Sequence, residues 1–173
     1  MKGTSVEADF ETDANSAVAE SLWVVLKFGG SSVSSAKNWQ TIANLLRNRL
    51  DAGLQPVVVH SALQGVSNRL ESVLQLAING DPSEQLAAIR DQHEELAAEL
   101  GLDVKALLSD TLRDLDQLIA GIRLVREVSV RVRVRVMALG EIMVTRLGAE
   151  FLRGEGDWLE ADPALNLSTG KRH

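Results

Sequence analysis

Residues 21–62 read SLWVVLKFGGSSVSSAKNWQTIANLLRNRLDAGLQPVVVHSA, and two hydrophobic periods alternate within them. Leu22 to Leu26 is a short apolar run rich in β-branched residues, closed by Gly29 and Gly30. A run without polar alternation predicts a strand buried on both faces, as in a parallel sheet. Trp39, Ile42, Leu45, Leu46 and Leu50 then recur at three- and four-residue spacing, one face of a helix. Ser34 or Ser35 is placed to cap that helix and Gly53 to end it. QPVVVHSA, residues 55–62, predicts a second buried strand. Strand, glycine turn, helix and strand within about forty residues make a βαβ unit.

The pattern then turns helical. Residues 65–80 place Val66, Leu70, Val73, Leu74 and Ala77 on one face. Pro82 suits an early helical position, and Leu86, Ile89, Leu96 and Leu100 define a helix over 83–100 that Gly101 ends. A helix over 103–125 uses Val104, Leu107, Leu108, Leu112, Leu115, Ile119 and Ile122. These last two predict a helical hairpin projecting from the sheet, with a partner-binding surface as the alternative. VSVRVRVRVM, residues 128–137, alternates valine and arginine at period two, which favours a strand with its arginines on one solvated side. A helix is expected from about 136, with Ile142, Leu147 and Phe151 inward, and 128–135 stays open between the two forms. DWLEA, residues 157–161, suits a short last strand.

Composition narrows the function classes. At 173 residues the chain matches one domain of roughly 100–200 residues, and its 45% apolar content is that of a globular protein. Eighteen Lys and Arg against 24 Asp and Glu leave a formal charge of −6, which argues against a general nucleic-acid binder. The absence of Cys removes disulfides, thiolate nucleophiles and thiolate metal sites; the three His, at 60, 93 and 173, form no zinc-like pattern, so no protein metal site is expected. Residues 1–20, with Glu7, Asp9, Glu11 and Asp13, read as a flexible acidic leader and not a signal peptide. No stretch approaches a membrane span, so a cytoplasmic location away from any membrane is expected.

Three places offer chemistry. Lys27 ends the first strand immediately before Phe28, Gly29, Gly30, Ser31 and Ser32. Ligands of open α/β sheets gather at the carboxyl ends of strands, glycines admit an anion to the backbone, and lysine adds a point charge. A tight turn followed by a serine cap explains the same residues without a ligand, and the pattern is neither of the two common glycine-rich nucleotide fingerprints. HSALQGVSN, residues 60–68, repeats the arrangement. Its Ser61 and Ser67 are donors for a carboxylate or ordinary turn residues, and His60 lacks a sequence-local partner. Glu141 follows Gly140 in the last helix, either solvent-facing or available to a substrate ammonium.

Taken together, KFGGSSV at 27–33, VVVHSALQGVSNRL at 57–70 and ALGEIMVTRLGAEFL at 138–152 resemble, in order and spacing, the aspartate kinases of the amino-acid-kinase family. The resemblance implies a partial three-layer α/β/α sandwich with a helical hairpin insert. It implies transfer of the γ-phosphoryl group of Mg-ATP to the side-chain carboxylate of L-aspartate, giving 4-phospho-L-aspartate for lysine, threonine and methionine synthesis. Lys27 would be catalytic, stabilising the transferred group, while Lys27, Gly29, Gly30 and Ser31 would face the nucleotide phosphates. Ser61, Ser67 and Glu141 would bind substrate, with Glu141 toward the amino group. Ser31 and Ser67 stand where many members carry threonine; the hydroxyl is kept and a methyl lost.

Family members continue into a nucleotide-binding half and regulatory domains. Residues 21–173 are accordingly expected to be the substrate-side part of a domain incomplete at its C-terminus, weak or inactive alone. Two partners stand open by resemblance, a second copy of the chain or the C-terminal half. Two other readings also stand: an amino-acid kinase acting on a different acid, and a non-catalytic remnant that pairs with a partner.

Overall fold

The computed structural model describes residues 22–153. The acidic leader and the strand expected at 157–161 lie outside the described residues. β1 (Trp23–Phe28) and β2 (Gln55–His60) pair in parallel, Trp23 opposite Gln55 and Phe28 opposite His60. Between them run a short 3-10 turn (Gly30–Val33) and α1 (Ala36–Asp51). The Ser35 hydroxyl accepts the Asn38 N–H and so caps α1, and Gly53 takes the left-handed turn that returns the chain to β2.

Burial on the strands alternates, whereas the unbroken apolar runs predict burial on both faces. Leu26, Phe28 and Val58 pack against the core, but Trp23, Val25, Val57 and Val59 stay exposed. The described helices gather on one face of the sheet, so only every second strand residue is covered.

That helical layer comprises α2 (Val66–Asn79), α3 (Ser83–Leu100), α4 (Val104–Val125) and α5 (Val130–Phe151). The inward residues expected of α2 are all buried. The α3–α4 hairpin exists, but it folds against the rest of the layer and does not project: α4 lies along α5 and α2, and Glu99 of α3 accepts the Ala36 N–H at the start of α1 (3.0 Å). A carboxylate there also meets the positive end of the helix dipole. One apolar core results, from Val33 and Trp39 to Leu70, Leu108, Leu115, Met143 and Leu147.

Residues 130–135, left open by the period-two pattern, are helical. Ser129 caps α5 by accepting the Val132 N–H (3.3 Å). A 3.6-residue turn divides the valines: Val136 is buried and Val132 packs on the core, while Val130 and Val134 are exposed. The arginines likewise leave the single side a strand would give them. Arg133 reaches Glu71 of α2 (2.9 Å) and Arg135 reaches Asp114 of α4 (3.9 Å). Such exposed pairs add little stability individually; packing of Val136, Leu139 and Met143 overrides the strand preference of the alternating valines.

His93 is the fully buried imidazole of this layer. Its Nδ1–H donates to the Ile89 carbonyl (2.7 Å), and Nε2 has no partner among the described residues. Burial pushes its pKa down, opposed in part by the Ile89 bond; burial does the same to His60.

Two predictions follow from this packing. As pH falls below about 6.5 the unfolded chain protonates at His93 and His60 while the folded chain resists, so stability falls with acidification, each group by up to ~1.4 kcal/mol per pH unit until its lowered folded pKa is reached. Urea midpoints from pH 7.5 to 5 measure this, and His93→Gln flattens the slope. The second concerns helix glycines. A Cβ on Gly121 meets nothing within 4 Å, whereas one on Gly148 falls 2.1 Å from the Trp39 ring. Gly121→Ala is therefore expected to stabilise by about 0.5–1 kcal/mol, and Gly148→Ala to destabilise by about 1–3 kcal/mol; equilibrium denaturation separates the two signs.

Candidate functional site at the carboxyl ends of the strands

Both strands end at the same level and release the chain into two loops, residues 29–35 and 61–65. In the first, Gly29 is extended, and the Ser32 N–H donates to its carbonyl (2.9 Å). Two α1 side chains hold the turn. Asn38 Nδ2 donates to the Ser31 carbonyl (2.8 Å), and the Trp39 indole N–H donates to the Val33 carbonyl (2.9 Å).

The second loop continues the sheet by one bond, Ser61 N–H to the Phe28 carbonyl (3.2 Å). His60 Nδ1 donates to the Ser61 carbonyl (3.1 Å), and its ring meets Trp39 edge-on at 5.8 Å. His60 is thus a half-buried structural imidazole, with burial favouring its neutral form. The Ser61 hydroxyl donates to the Ala62 carbonyl (3.2 Å). Gly65, at φ 84°, then turns the chain into α2. Ser67 stands half-buried in the first turn of α2, where backbone N–H groups lack intrahelical acceptors.

Glycine brings the segments together. A Cβ on Gly30 would lie 2.9 Å from the Ala62 carbonyl oxygen and 3.1 Å from the Gln64 nitrogen, so the two loops touch backbone to backbone. On the far side of Ala62, Gly140 of α5 leaves room for the Ala62 methyl, Val66 and Leu70, each 3.0–3.3 Å from where its own Cβ would be. Glu141 follows directly. Its carboxylate has no hydrogen bond or ion pair among the described residues, and partial desolvation raises its pKa although the residue remains exposed. Gly29, Gly30, Ser31, Ser61, Ser67 and Glu141 therefore belong to three segments, the outer two of which each touch the 62–66 stretch. Lys27 lies two residues before Gly29 on the exposed side of β1, the side of Trp23 and Val25.

Among the described residues no three His, Asp or Glu side chains gather as a metal-holding group, and no helix is long and apolar enough to cross a membrane. Sequence reading missed Ser34 as a cross-loop contact, along with Asn38 and the ring contacts of Trp39. Ser34 was legible only as a candidate cap, a role taken by Ser35.

The model of the amino acid kinase family matches residues 22–157. Chloroplastic aspartokinase 2 of Arabidopsis thaliana is 34% identical over 151 residues, covering 84% of this chain and 27% of its own length. Chloroplastic aspartokinase 3 of the same plant is 36% identical over 140 residues, 78% of this chain and 24% of its own. Among solved structures, aspartokinase III of E. coli in complex with aspartate and ADP superposes with a TM-score of 0.62 at 28% identity, over 75% of this chain and 28% of that one. The chain thus spans about a quarter of the length of these relatives.

The two loop glycines are expected to differ under substitution. Gly29 has nothing within 4 Å of a Cβ, and Gly30 has backbone atoms that no rotamer change can move. Gly30→Ala should cost about 1–3 kcal/mol by forcing the loops apart, and Gly29→Ala less than about 0.5 kcal/mol. Equal losses in urea denaturation would contradict this geometry.

Proposed function

The chain belongs to the amino acid kinase family, and on that footing we propose that it is the substrate-side part of an aspartate kinase. The observation that carries the reading is that the second strand-end loop is met by Gly30 of the first on one side and by Gly140 of α5 on the other, so the three motif-bearing segments adjoin through it. Similarity to aspartokinases, one of them solved with aspartate and ADP, supports the same assignment.

The chemistry asked of these residues is positioning and charge neutralisation. A side-chain carboxylate oxygen of L-aspartate attacks the γ-phosphorus of ATP. The bond from that phosphorus to the β–γ bridging oxygen breaks, and ADP leaves with the electron pair. The carboxylate is already nucleophilic, so neither a general base nor a covalent protein intermediate is needed. Lys27 places a cation beside the phosphoryl oxygens, and Gly29, Gly30 and Ser31 offer backbone and hydroxyl donors to them. Ser61 and Ser67 orient the aspartate carboxylates. Glu141, partly desolvated and without a cation partner among the described residues, accepts the aspartate ammonium. Magnesium enters as part of the Mg-ATP substrate. In this reading, phosphoryl transfer also draws on a nucleotide-binding half that the described residues do not supply.

Titrating the purified chain with L-aspartate tests the assignment. Aspartate binding should return the raised pKa of Glu141 toward the ordinary carboxylate range, because an ammonium beside it favours the charged form; carbon-13 chemical shifts of the Glu141 carboxyl follow this directly. Glu141→Gln should weaken aspartate binding about 10- to 100-fold, the value of a charge-assisted hydrogen bond. Equal binding of glutamate or acetylglutamate would assign a different acid. In a coupled ATP assay, Lys27→Ala should abolish any turnover the chain shows.

A further inference from the structure

The two loops are joined by more than the closeness of Gly30. Ser34, the residue directly after the first loop's 3-10 turn, donates its hydroxyl hydrogen to the Gly30 carbonyl (2.6 Å). The Ser34 hydroxyl oxygen in turn accepts the backbone N–H of Gln64, thirty residues away in the second loop (2.9 Å). Gln64 is gripped at its other end as well: its carbonyl accepts from Gln92 Nε2 of α3 (3.0 Å). The next residue, Gly65, is left-handed, and α2 starts behind it without a side-chain cap. A single residue ahead of a left-handed turn is therefore held at its N–H by the first loop and at its C=O by the helical hairpin.

We propose that Ser34 is a positioning residue that fixes the first loop against the second through Gln64, and that Gln92 extends the linkage to α3. Its consequence rests on the aspartate-kinase reading. Ser31, three residues before Ser34, belongs to the phosphate side, and Ser67, three residues after Gln64, to the aspartate side. The Ser34 hydroxyl thus helps to set the separation of phosphoryl donor and acceptor while touching neither. Its geometry explains why a hydroxyl is needed there: one group both donates and accepts, which alanine cannot do and threonine can. Reactions governed by positioning are sensitive to sub-ångström shifts of this kind.

The test uses the full chain with Ser34→Ala, Ser34→Thr and Gln92→Ala. Amide hydrogen exchange of Gln64 is the direct readout. Ser34→Ala should speed it about tenfold, the size of effect expected from one lost hydrogen bond, with the amides of Leu70 and Val73 in α2 unchanged as the control for folding. Ser34→Thr should restore slow exchange. Gln92→Ala, which frees only the carbonyl, should loosen the loop less. The second readout is coupling between ligands: aspartate should tighten binding of inorganic pyrophosphate to the parent chain, and Ser34→Ala should remove that tightening while leaving aspartate affinity within about twofold. Unchanged Gln64 exchange in Ser34→Ala overturns the linkage. Faster exchange with coupling intact overturns its positioning role. A parent chain that binds no aspartate overturns the functional reading instead, and the exchange measurement still decides whether Ser34 spans the loops.

Discussion

The indole of Trp39 holds four elements in register. Its N–H is bonded to the carbonyl that ends the first loop's turn, and its ring meets His60 edge-on at the end of β2. Phe151 meets it from the end of α5, at 6.4 Å between centroids. The ring lies so close to Gly148 that no side chain fits between them. A large aromatic at a junction buries much apolar area while its one polar atom is satisfied, a combination that fixes position as well as contributing stability. α5 can lie against this ring only by presenting glycine to it. One rigid helix then carries that constraint from Gly148 back to Gly140 and Glu141.

Packing and polar contacts divide the work at the strand ends. Absent side chains at Gly30 and Gly140 set how near the segments come, because backbone and methyl groups meet there at van der Waals distance. Hydroxyl and amide side chains at Ser34, Asn38 and Gln92 set orientation by occupying backbone groups of the loops. Between them, Glu141 keeps a carboxylate without a partner among the described residues.

Much of this was legible in the sequence, for physical reasons that also mark where reading stopped. The βαβ unit announces itself because apolar runs and three- to four-residue spacing are local patterns, and the α2 face was read residue by residue. The start of α5 was not, since valine at every second position satisfies a strand and, half of the time, a helix. Ser129, a good N-cap directly before the run, was the local signal that pointed to the helix. The motif residues of the site were legible as segments, but the reasons for the glycines were not. Gly30 and Gly148 answer to Ala62, Gln64 and Trp39, all distant in sequence, and nothing local records such a partner. The cross-loop bond of Ser34 to Gln64 was silent for the same reason.

The alternating burial of β1 also gives the protein an optical asymmetry. Trp23 stands at 62% exposure on the side of the strand away from the described helices, while Trp39 is buried at 1%. Their emission therefore separates into a red-shifted component open to acrylamide or iodide and a blue-shifted one shielded from both. The first senses whatever comes to lie on that face of the sheet, and the second senses the junction of α1, β2 and α5. With Trp158, the third tryptophan, replaced, a single emission spectrum reports on both sides of one strand pair at once.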